Sequence, residues 1–168
     1  LGAPIETGRT VVGGNAGPAQ DVVDEIVAAG GQAVANTDDI SDFAGAEKLV
    51  GTAIEAFGKL DVLINNAVIL RDRMLVNMTE AEWDAVMDAN VRQSWLLCRA
   101  AGRVLIDQAR GGKVILMSST RGRLGLTNYA AYCPSKAAVD LLTKALAVEW
   151  GPHGINVNLL CPGTTQTS

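Results

Sequence analysis

The chain has 168 residues, of which 48% are hydrophobic and 4% aromatic, and its formal net charge is −4. Its 14 Lys and Arg are scattered among 18 Asp and Glu without a basic run, which argues against a nucleic-acid surface. No apolar stretch reaches the roughly 20 residues that cross a bilayer, so we expect no membrane partner. Cys98, Cys133 and Cys161 have no paired spacing, which favours a reducing, cytoplasmic setting. With one His and no clustered Cys, a metal site is not expected.

The first part of the chain predicts two helices separated by a short strand. "GPAQDVVDEIVAAGG" places Pro18 in a first helical turn, repeats apolar residues at helical spacing and ends in two glycines. "QAVANTDDI" then predicts a short strand that finishes in polar residues. Residues 42–57 predict a second helix, which Gly58 ends.

The apolar segment "LDVLINNA" predicts a strand of a parallel sheet that is covered on both faces. Thr79 followed by Glu82 predicts a capping box for a long helix that runs to about Arg110.

A second apolar strand, "GKVILMSS", is followed by a predicted helix from about Tyr132 to Trp150 and by a further strand, "GINVNLLCPG". Strands and helices alternate throughout, without a repeat or linker. This order predicts an α/β fold of one domain, a doubly wound parallel sheet with helices on both faces.

Polar residues end each predicted strand. They are Asp38 and Asp39, Asn65 and Asn66, Ser118 and Ser119, and the segment "CPGTT". In an open parallel sheet, ligands bind beyond the carboxyl ends of the strands. Loops begin at strand ends in any α/β protein, so one polar strand end says little. Four in succession favour a binding site.

Tyr132 and Lys136 are one helical turn apart, so they share a helix face that opens near the loop leaving Ser119. A cation close to a phenol lowers its pKa from about 10 towards the range of a general acid–base. A serine hydroxyl nearby would donate to a carbonyl or alkoxide oxygen. These parts suit proton transfer at an oxygen whose carbon gains or loses a hydride. Taken alone, the tyrosine–lysine spacing is a weak signal that chance often produces.

The chain resembles the classical short-chain dehydrogenases/reductases over essentially its whole length. The resemblance rests on "DVLINNA", similar to the family's Asn-Asn-Ala-Gly strand end, on Ser119, Tyr132 and Lys136 at the family's spacing, on the turn "CPGTTQT" and on Asn90 in "MDANV". It implies a Rossmann-type fold and an NAD(P)-dependent oxidoreductase that acts on a small secondary alcohol or ketone.

The resemblance also implies a role for each matching residue. Tyr132 would be the general acid/base, Lys136 would lower its pKa and bind the nicotinamide ribose, and Ser119 would orient the substrate carbonyl. Asn90 would hold a water in the proton relay to Lys136. The implied contacts to NAD or NADP are Asp39 at the adenine edge, Asn65 and Ala67 along the middle, and Pro162, Gly163 and Thr167 at the carboxamide. A homodimer or homotetramer through the two long helices is also implied.

Two features depart from the family's pattern. Val68 stands where the family has a glycine, and its β-branched side chain would crowd the cofactor. The glycine-rich loop that cradles the pyrophosphate is not found, because the glycines of "TGRTVVGGNAG" have a different spacing. A strand "RTVV" followed by the loop "GGNAG" is the less favoured interpretation. We therefore expect residues 1–168 to be a partial domain of a longer protein, incomplete at both ends: it lacks the family's first two strands, the helix between them and the family's C-terminal part.

Two other functions stay open, of which these departures favour the first and the shared Tyr-x-x-x-Lys pair allows the second. One is a catalytically silent relative that serves as a binding or assembly subunit. The other is an epimerase or dehydratase of the extended branch, which "NNA" disfavours.

Several side chains are set aside at this point. We expect His153 to be exposed in a turn and Cys133 to pack rather than react. Arg121 and Arg123, beside the predicted site, would either contact an anionic substrate group or belong to a solvated loop. Trp95 would be either core or subunit contact.

Overall fold

A computed structural model describes residues 8–12 and 16–164 of the chain. The chain forms two compact units, Leu1–Leu60 and Asp61–Ser168. Each unit contains parallel strands and helices, which confirms the predicted α/β class. The organisation as a single domain stays a prediction. None of the helices among residues 16–164 is long and apolar enough to cross a membrane.

The first unit contains β1 (Gly8–Val12), α1 (Ala16–Ala28), β2 (Gln32–Asn36) and α2 (Phe43–Phe57). The two strands pair in parallel, from Gly8 opposite Gln32 to Val12 opposite Asn36. The less favoured interpretation of "RTVV" as a strand is therefore correct, and the expectation of no strand before the first helix is wrong. A short run rich in β-branched residues forms a strand here because β2 supplies a parallel partner. Gly13 and Gly14 lie outside the described residues.

Helix α2 begins and ends where its sequence predicts. The Asp42 side chain accepts a hydrogen bond from the Gly45 backbone N–H at 2.7 Å, and Gly58 ends the helix at φ 72°. A Cβ added at Gly45 would overlap the Asp39 backbone carbonyl. Glycine at this position therefore lets the start of α2 approach the loop that follows β2.

The second unit contains three strands, three α-helices and a π turn. These are β3 (Val62–Asn65), α3 (Glu80–Met87), the π turn (Asp88–Arg92), α4 (Gln93–Gln108), β4 (Gly112–Met117), α5 (Tyr132–Trp150) and β5 (Ile155–Leu160). The strands are parallel in the order β3-β4-β5. The carboxyl ends of all three strands therefore lie at one edge of this sheet, where the sequence predicts a site.

Strand β3 differs from its prediction, because only one of its faces is covered. Leu63 and Asn65 are buried, whereas Val62 and Ile64 are 44% and 61% exposed. Helix α4 packs against β3 and β4 and covers the buried face. The apolar sequence of a strand thus predicts that other elements cover it. It does not predict which elements pack against the strand in this unit.

The long helix after Thr79 is confirmed at its start and interrupted in its middle. The Thr79 hydroxyl and the Glu82 carboxylate form the predicted capping box. Five residues around Asn90 then form the π turn, and α4 ends at Gln108, slightly before the predicted Arg110. A π turn inserts an extra residue into the helix and often marks a functional position.

Three side chains set aside from the site have simple environments. His153 is exposed in a turn, as expected. The Cys133 thiol lies 3.6 Å from the Leu124 carbonyl oxygen, which agrees with a packing role. Trp95 is 48% exposed on α4, and the Arg99 guanidinium lies over its ring at 5.9 Å. Trp95 is therefore not core in this unit.

Gly102 on α4 provides a test of the packing between α4 and the end of α5. A Cβ added at Gly102 would lie 2.6 Å from the ring of Trp150, which is 5% exposed. We expect Gly102→Ala to lower the free energy of unfolding by about 1–3 kcal/mol, because the buried ring must move. Chemical denaturation of the whole protein measures this change. Nothing lies within 4 Å of a Cβ added at Gly151, so Gly151→Ala is the matched control. Equal losses in both variants would contradict the packing described here.

Candidate active site

The loop that leaves β4 is held to the segment that follows β5. The Ser118 N–H donates to the Leu160 carbonyl at 2.8 Å, and the Thr120 N–H donates to the Pro162 carbonyl at 3.2 Å. The Ser119 hydroxyl lies 3.5 Å from the same Pro162 oxygen and accepts the Arg121 N–H at 3.2 Å. Two predicted site elements, Ser119 and the Pro162 turn, are therefore neighbours.

Tyr132 is the first residue of α5 and lies half-buried beside Ser119. Burial raises the pKa of Tyr132 above its ordinary value of 10.0, and a hydrogen bond with the Ser119 hydroxyl opposes this rise. The Tyr129 ring packs edge-on against Tyr132, with 5.9 Å between the centroids. The expected lowering of the Tyr132 pKa is therefore wrong for this structure, because burial outweighs the groups that lower it.

Lys136 lies one turn further along α5 and is 2% exposed. Its ammonium donates to the Met117 carbonyl at 2.7 Å and lies 5.6 Å from the centroid of the Tyr132 ring. Burial lowers the pKa of Lys136 from 10.5 to about 8, and the charge of Asp140 opposes this shift. The Lys136 ammonium is thus close to the face of the Tyr132 ring and is hydrogen-bonded to the Met117 carbonyl at the end of β4.

Asn90 lies in the π turn and is 1% exposed. Its side-chain oxygen accepts the Ile69 N–H at 2.9 Å, and its amide nitrogen donates to the Ile69 carbonyl and to the Ser135 hydroxyl, each at 3.0 Å. These bonds fasten the segment after β3 and the first turn of α5 to the same helix. That Asn90 holds a water stays a prediction.

A series of hydrogen bonds connects the end of β3 with the start of α5. The Asn65 amide donates to the Ser94 hydroxyl at 2.8 Å, which donates to the Asn90 backbone carbonyl at 2.7 Å. The Asn90 side chain donates to the Ser135 hydroxyl, which donates to the Tyr132 backbone carbonyl at 2.8 Å. The backbone position of Tyr132 is therefore coupled to the strand end at Asn65.

Three polar residues of this region escaped the sequence analysis. Ser94, Ser135 and Asp140 are 3%, 0% and 7% exposed. Ser94 follows Asn90, and Asp140 follows Lys136, by one helical turn on faces that are otherwise largely apolar. Buried polar side chains need hydrogen-bond partners. A polar residue one helical turn after a predicted site residue, on an otherwise apolar helix face, could therefore have been predicted to belong to the site.

The other predicted cofactor contacts of the second unit differ in how exposed they are. The Asn65 side-chain oxygen is buried and has no hydrogen-bond partner among the described residues. Ala67 and Gly163 are exposed, and Val68 remains 43% exposed, so its side chain is not packed away from the site. Within the part of the chain that the structure describes, a Cβ at Gly163 would touch only Thr120, at 4.0 Å.

Two further predicted cofactor residues are not among the described residues of the second unit. Asp39 belongs to the first unit, where its exposed carboxylate accepts the Ser41 N–H at 2.9 Å. This hydrogen bond lowers the pKa of Asp39 below 3.8. Thr167 lies outside the described residues. The second unit thus brings together Asn65, Asn90, Ser119, Tyr132, Lys136 and Pro162.

The family model described as short chain dehydrogenase matches residues 5–168. The chain belongs to the short-chain dehydrogenase family. This result agrees with the resemblance carried by the Asn-Asn-Ala strand end and by Ser119, Tyr132 and Lys136.

Individual relatives share this family assignment. The chain is 52% identical over 120 residues to an uncharacterised oxidoreductase of Mycobacterium tuberculosis, which covers 71% of this chain and 44% of the relative. It is 36% identical over 163 residues to a 2-dehydro-3-deoxy-D-gluconate 5-dehydrogenase of Dickeya dadantii, which covers 97% and 64%. A crystal structure of a gluconate 5-dehydrogenase from Burkholderia cenocepacia, in complex with NADP and tartrate, is 27% identical with a TM-score of 0.88 and covers 94% of this chain and 62% of that one. The chain therefore spans about half to two thirds of these proteins and has their Rossmann-like fold.

The environment of Lys136 predicts a pH-dependent cost to stability. Its folded pKa of about 8 lies below the unfolded value, so the cost is fully present below pH 8 and disappears as the pH rises towards 10.5. We expect Lys136→Met to raise the free energy of unfolding at neutral pH by up to about 3 kcal/mol, less what the lost bond to Met117 contributes. The gain should vanish at alkaline pH, as measured by denaturation across a pH series.

Lys144 is exposed on the same helix and provides the control. Lys144→Met should show no gain that depends on pH in this way. A Lys136→Met protein that is less stable at neutral pH than at alkaline pH, relative to wild type, would show that burial does not disfavour the charge.

Proposed function

We propose that the protein containing this chain is an NAD(P)-dependent short-chain dehydrogenase/reductase that interconverts a secondary alcohol and a ketone. One observation carries the proposal: the Ser119 hydroxyl is close enough to lower the Tyr132 pKa, while the Lys136 ammonium lies 5.6 Å from the centroid of the same ring. A proton donor, an oxygen-binding hydroxyl and a cation thus meet at the carboxyl ends of parallel strands. Family membership and relatives named as dehydrogenases support this reading.

The residues of the second unit fit a nicotinamide cofactor in two respects. The Asn65 side-chain oxygen is a buried acceptor without a partner among the described residues, and of those residues only Thr120 comes within 4.0 Å of a Cβ added at Gly163. We assign the cofactor contacts as NAD or NADP held by Asn65, Ala67, Pro162 and Gly163, whereas contacts through Asp39 and Thr167 rest on the family resemblance alone. The NADP complex of the Burkholderia dehydrogenase is in accord with this choice.

In the proposed mechanism, Tyr132 supplies the proton and Ser119 positions the substrate oxygen. Because burial raises the pKa of Tyr132, the phenol is protonated at neutral pH and suited to donate to a carbonyl oxygen as that carbonyl is reduced. The Ser119 hydroxyl donates to the same oxygen and stabilises the charge that develops on it. The nicotinamide cofactor, when bound, supplies or accepts the hydride.

We assign Lys136 and Asn90 roles in binding and orienting other groups of the site. The Lys136 ammonium is held by the Met117 carbonyl, and we assign it to the nicotinamide ribose and to stabilising the phenolate left after proton transfer. Asn90 keeps the first turn of α5 in place through Ser135, and we assign it a water that returns a proton towards Lys136.

We propose a small-molecule alcohol or ketone as substrate and a homodimer or homotetramer as the assembly. The relatives named after gluconate derivatives act on small hydroxylated carbon chains, which is consistent with that class. The catalytically silent alternative is favoured by Val68, whose half-exposed side chain stands at a family glycine. Cofactor binding by the whole protein discriminates between the two.

Removal of the Tyr132 hydroxyl tests the proposal directly. We expect Tyr132→Phe to lower kcat by about 10²–10⁴-fold while nicotinamide binding is kept, because only the proton donor is lost. Turnover of a panel of ketones, followed by the absorbance of the reduced nicotinamide, measures the change in the whole protein.

Tyr129→Phe removes a hydroxyl from the neighbouring ring and should retain most of the turnover. If the whole wild-type protein shows neither turnover nor nicotinamide binding, the enzyme proposal is wrong. If Tyr132→Phe turns over as fast as Tyr129→Phe, the assignment of Tyr132 is wrong.

A further inference from the structure

Asp140 is a buried carboxylate on α5, one helical turn beyond Lys136, and it is 7% exposed. One of its oxygens accepts a hydrogen bond from the Arg123 Nε at 3.4 Å. Its other oxygen is buried and has no hydrogen-bond partner among the described residues. Arg123 is thus paired with Asp140 through its Nε.

The segment from Ser118 to Arg123 rests closely on α5 at Lys136. The Ser118 hydroxyl donates to the Lys136 backbone carbonyl at 3.2 Å. A Cβ added at Gly122 would lie 2.8 Å from the Ser118 hydroxyl and 3.1 Å from the Lys136 carbonyl carbon, so only glycine fits without displacement. Arg123, the last residue of the segment, is paired with Asp140 on α5. Ser119 lies within the segment that is held in this way.

A gain in folding stability does not explain why the Asp140 carboxylate is buried at this position. The Arg123 side chain is 65% exposed, and ion pairs with one solvated partner contribute little. A buried carboxylate oxygen without a partner costs free energy. The charge of Asp140 acts on Lys136, however, and opposes the effect of burial on its pKa. The carboxylate is therefore placed to serve the site rather than the fold.

We propose that Asp140 is a positioning residue of the active site, which holds the Ser119 segment on α5 through Arg123 and supplies a negative charge one helical turn from the buried Lys136. The inference rests on the proposed function for its effect on turnover. Its effect on the Ser119 segment is independent of that function.

The two roles predict different consequences for Asp140→Asn and Arg123→Gln. Both variants lose the pair and release the segment, so we expect kcat to fall by about tenfold to a hundredfold in each, through misplacement of Ser119. Only Asp140→Asn also loses the negative charge that raises the Lys136 pKa. Because Lys136 acts as a cation, its loss of a proton at lower pH should move the alkaline limb of the pH profile to lower pH in that variant.

The groups that the described structure places around Lys136 are Asp140 and Tyr132 on α5, with the Met117 carbonyl from β4. Arg123 reaches Asp140 from the loop. A shift of the alkaline limb in Asp140→Asn but not in Arg123→Gln therefore reports on the charge of Asp140 at Lys136.

Hydrogen exchange supplies the measurement that does not need turnover. The N–H groups of residues 121–124 are bonded to Ser119 and Thr120, and these bonds define the segment. We expect these amides to exchange at least roughly fivefold faster in Asp140→Asn and Arg123→Gln, with the interior of α5 unchanged. The melting temperature of Asp140→Asn at neutral pH should also fall, together with the shift of the alkaline limb, because the charge that offsets the burial of the Lys136 ammonium is lost.

Asp107→Asn removes an exposed carboxylate from α4 and is the control for the change in net charge. Unchanged exchange at residues 121–124 in Asp140→Asn would overturn the inference, whether or not the protein turns over. A lower melting temperature with an unchanged pH profile would assign Asp140 to the fold alone. Absence of turnover in wild type would contradict the proposed function, and the exchange measurement would still decide the role of Asp140 in holding the segment.

Discussion

The side-chain amide of Asn90 is the contact on which the second unit depends. It accepts a hydrogen bond from the Ile69 N–H and donates to the Ile69 carbonyl and to the Ser135 hydroxyl. Asn90 lies in the π turn and is 1% exposed. An amide buried so fully has no water to replace a lost partner, so its bonds are costly to break. The segment after β3 and the start of α5 are therefore both bonded to the same side chain in the middle of the long helix.

Burial at this junction moves two pKa values in opposite directions. It raises the pKa of Tyr132 above 10.0 and lowers that of Lys136 to about 8. Burial disfavours the charged form of each group, so a neutral phenol and a neutral amine are both favoured. Lys136 therefore loses its proton before Tyr132 as the pH rises. At neutral pH both are protonated, which is the state that donates a proton to a carbonyl, and the charge of Asp140 helps to maintain it.

The sequence predicted most reliably what neighbouring residues determine. The limits of α2 and α5 and the capping box at Thr79 follow from caps and spacing, and all are confirmed. Contacts distant in sequence were harder to predict. The strand at "RTVV" needed β2 as a partner, the exposed face of β3 depended on which helices pack there, and the direction of the Tyr132 pKa depended on burial. The catalytic spacing was visible, whereas Ser94, Ser135 and Asp140 became visible only through their burial.

Three buried polar atoms have no hydrogen-bond partner among the described residues: one oxygen each of Asn65 and Asp140, and the amide nitrogen of Gln93. All three belong to the second unit, next to the residues that define the site: Asn65 bonds to Ser94, Gln93 follows the π turn, and Asp140 follows Lys136. Each such atom lowers stability, so their grouping marks a place where the chain does not maximise its stability. A site that must bind a polar ligand and move a proton needs polar atoms that the fold leaves unused. The same burial that makes these atoms costly to the fold makes their interaction with a bound group strong.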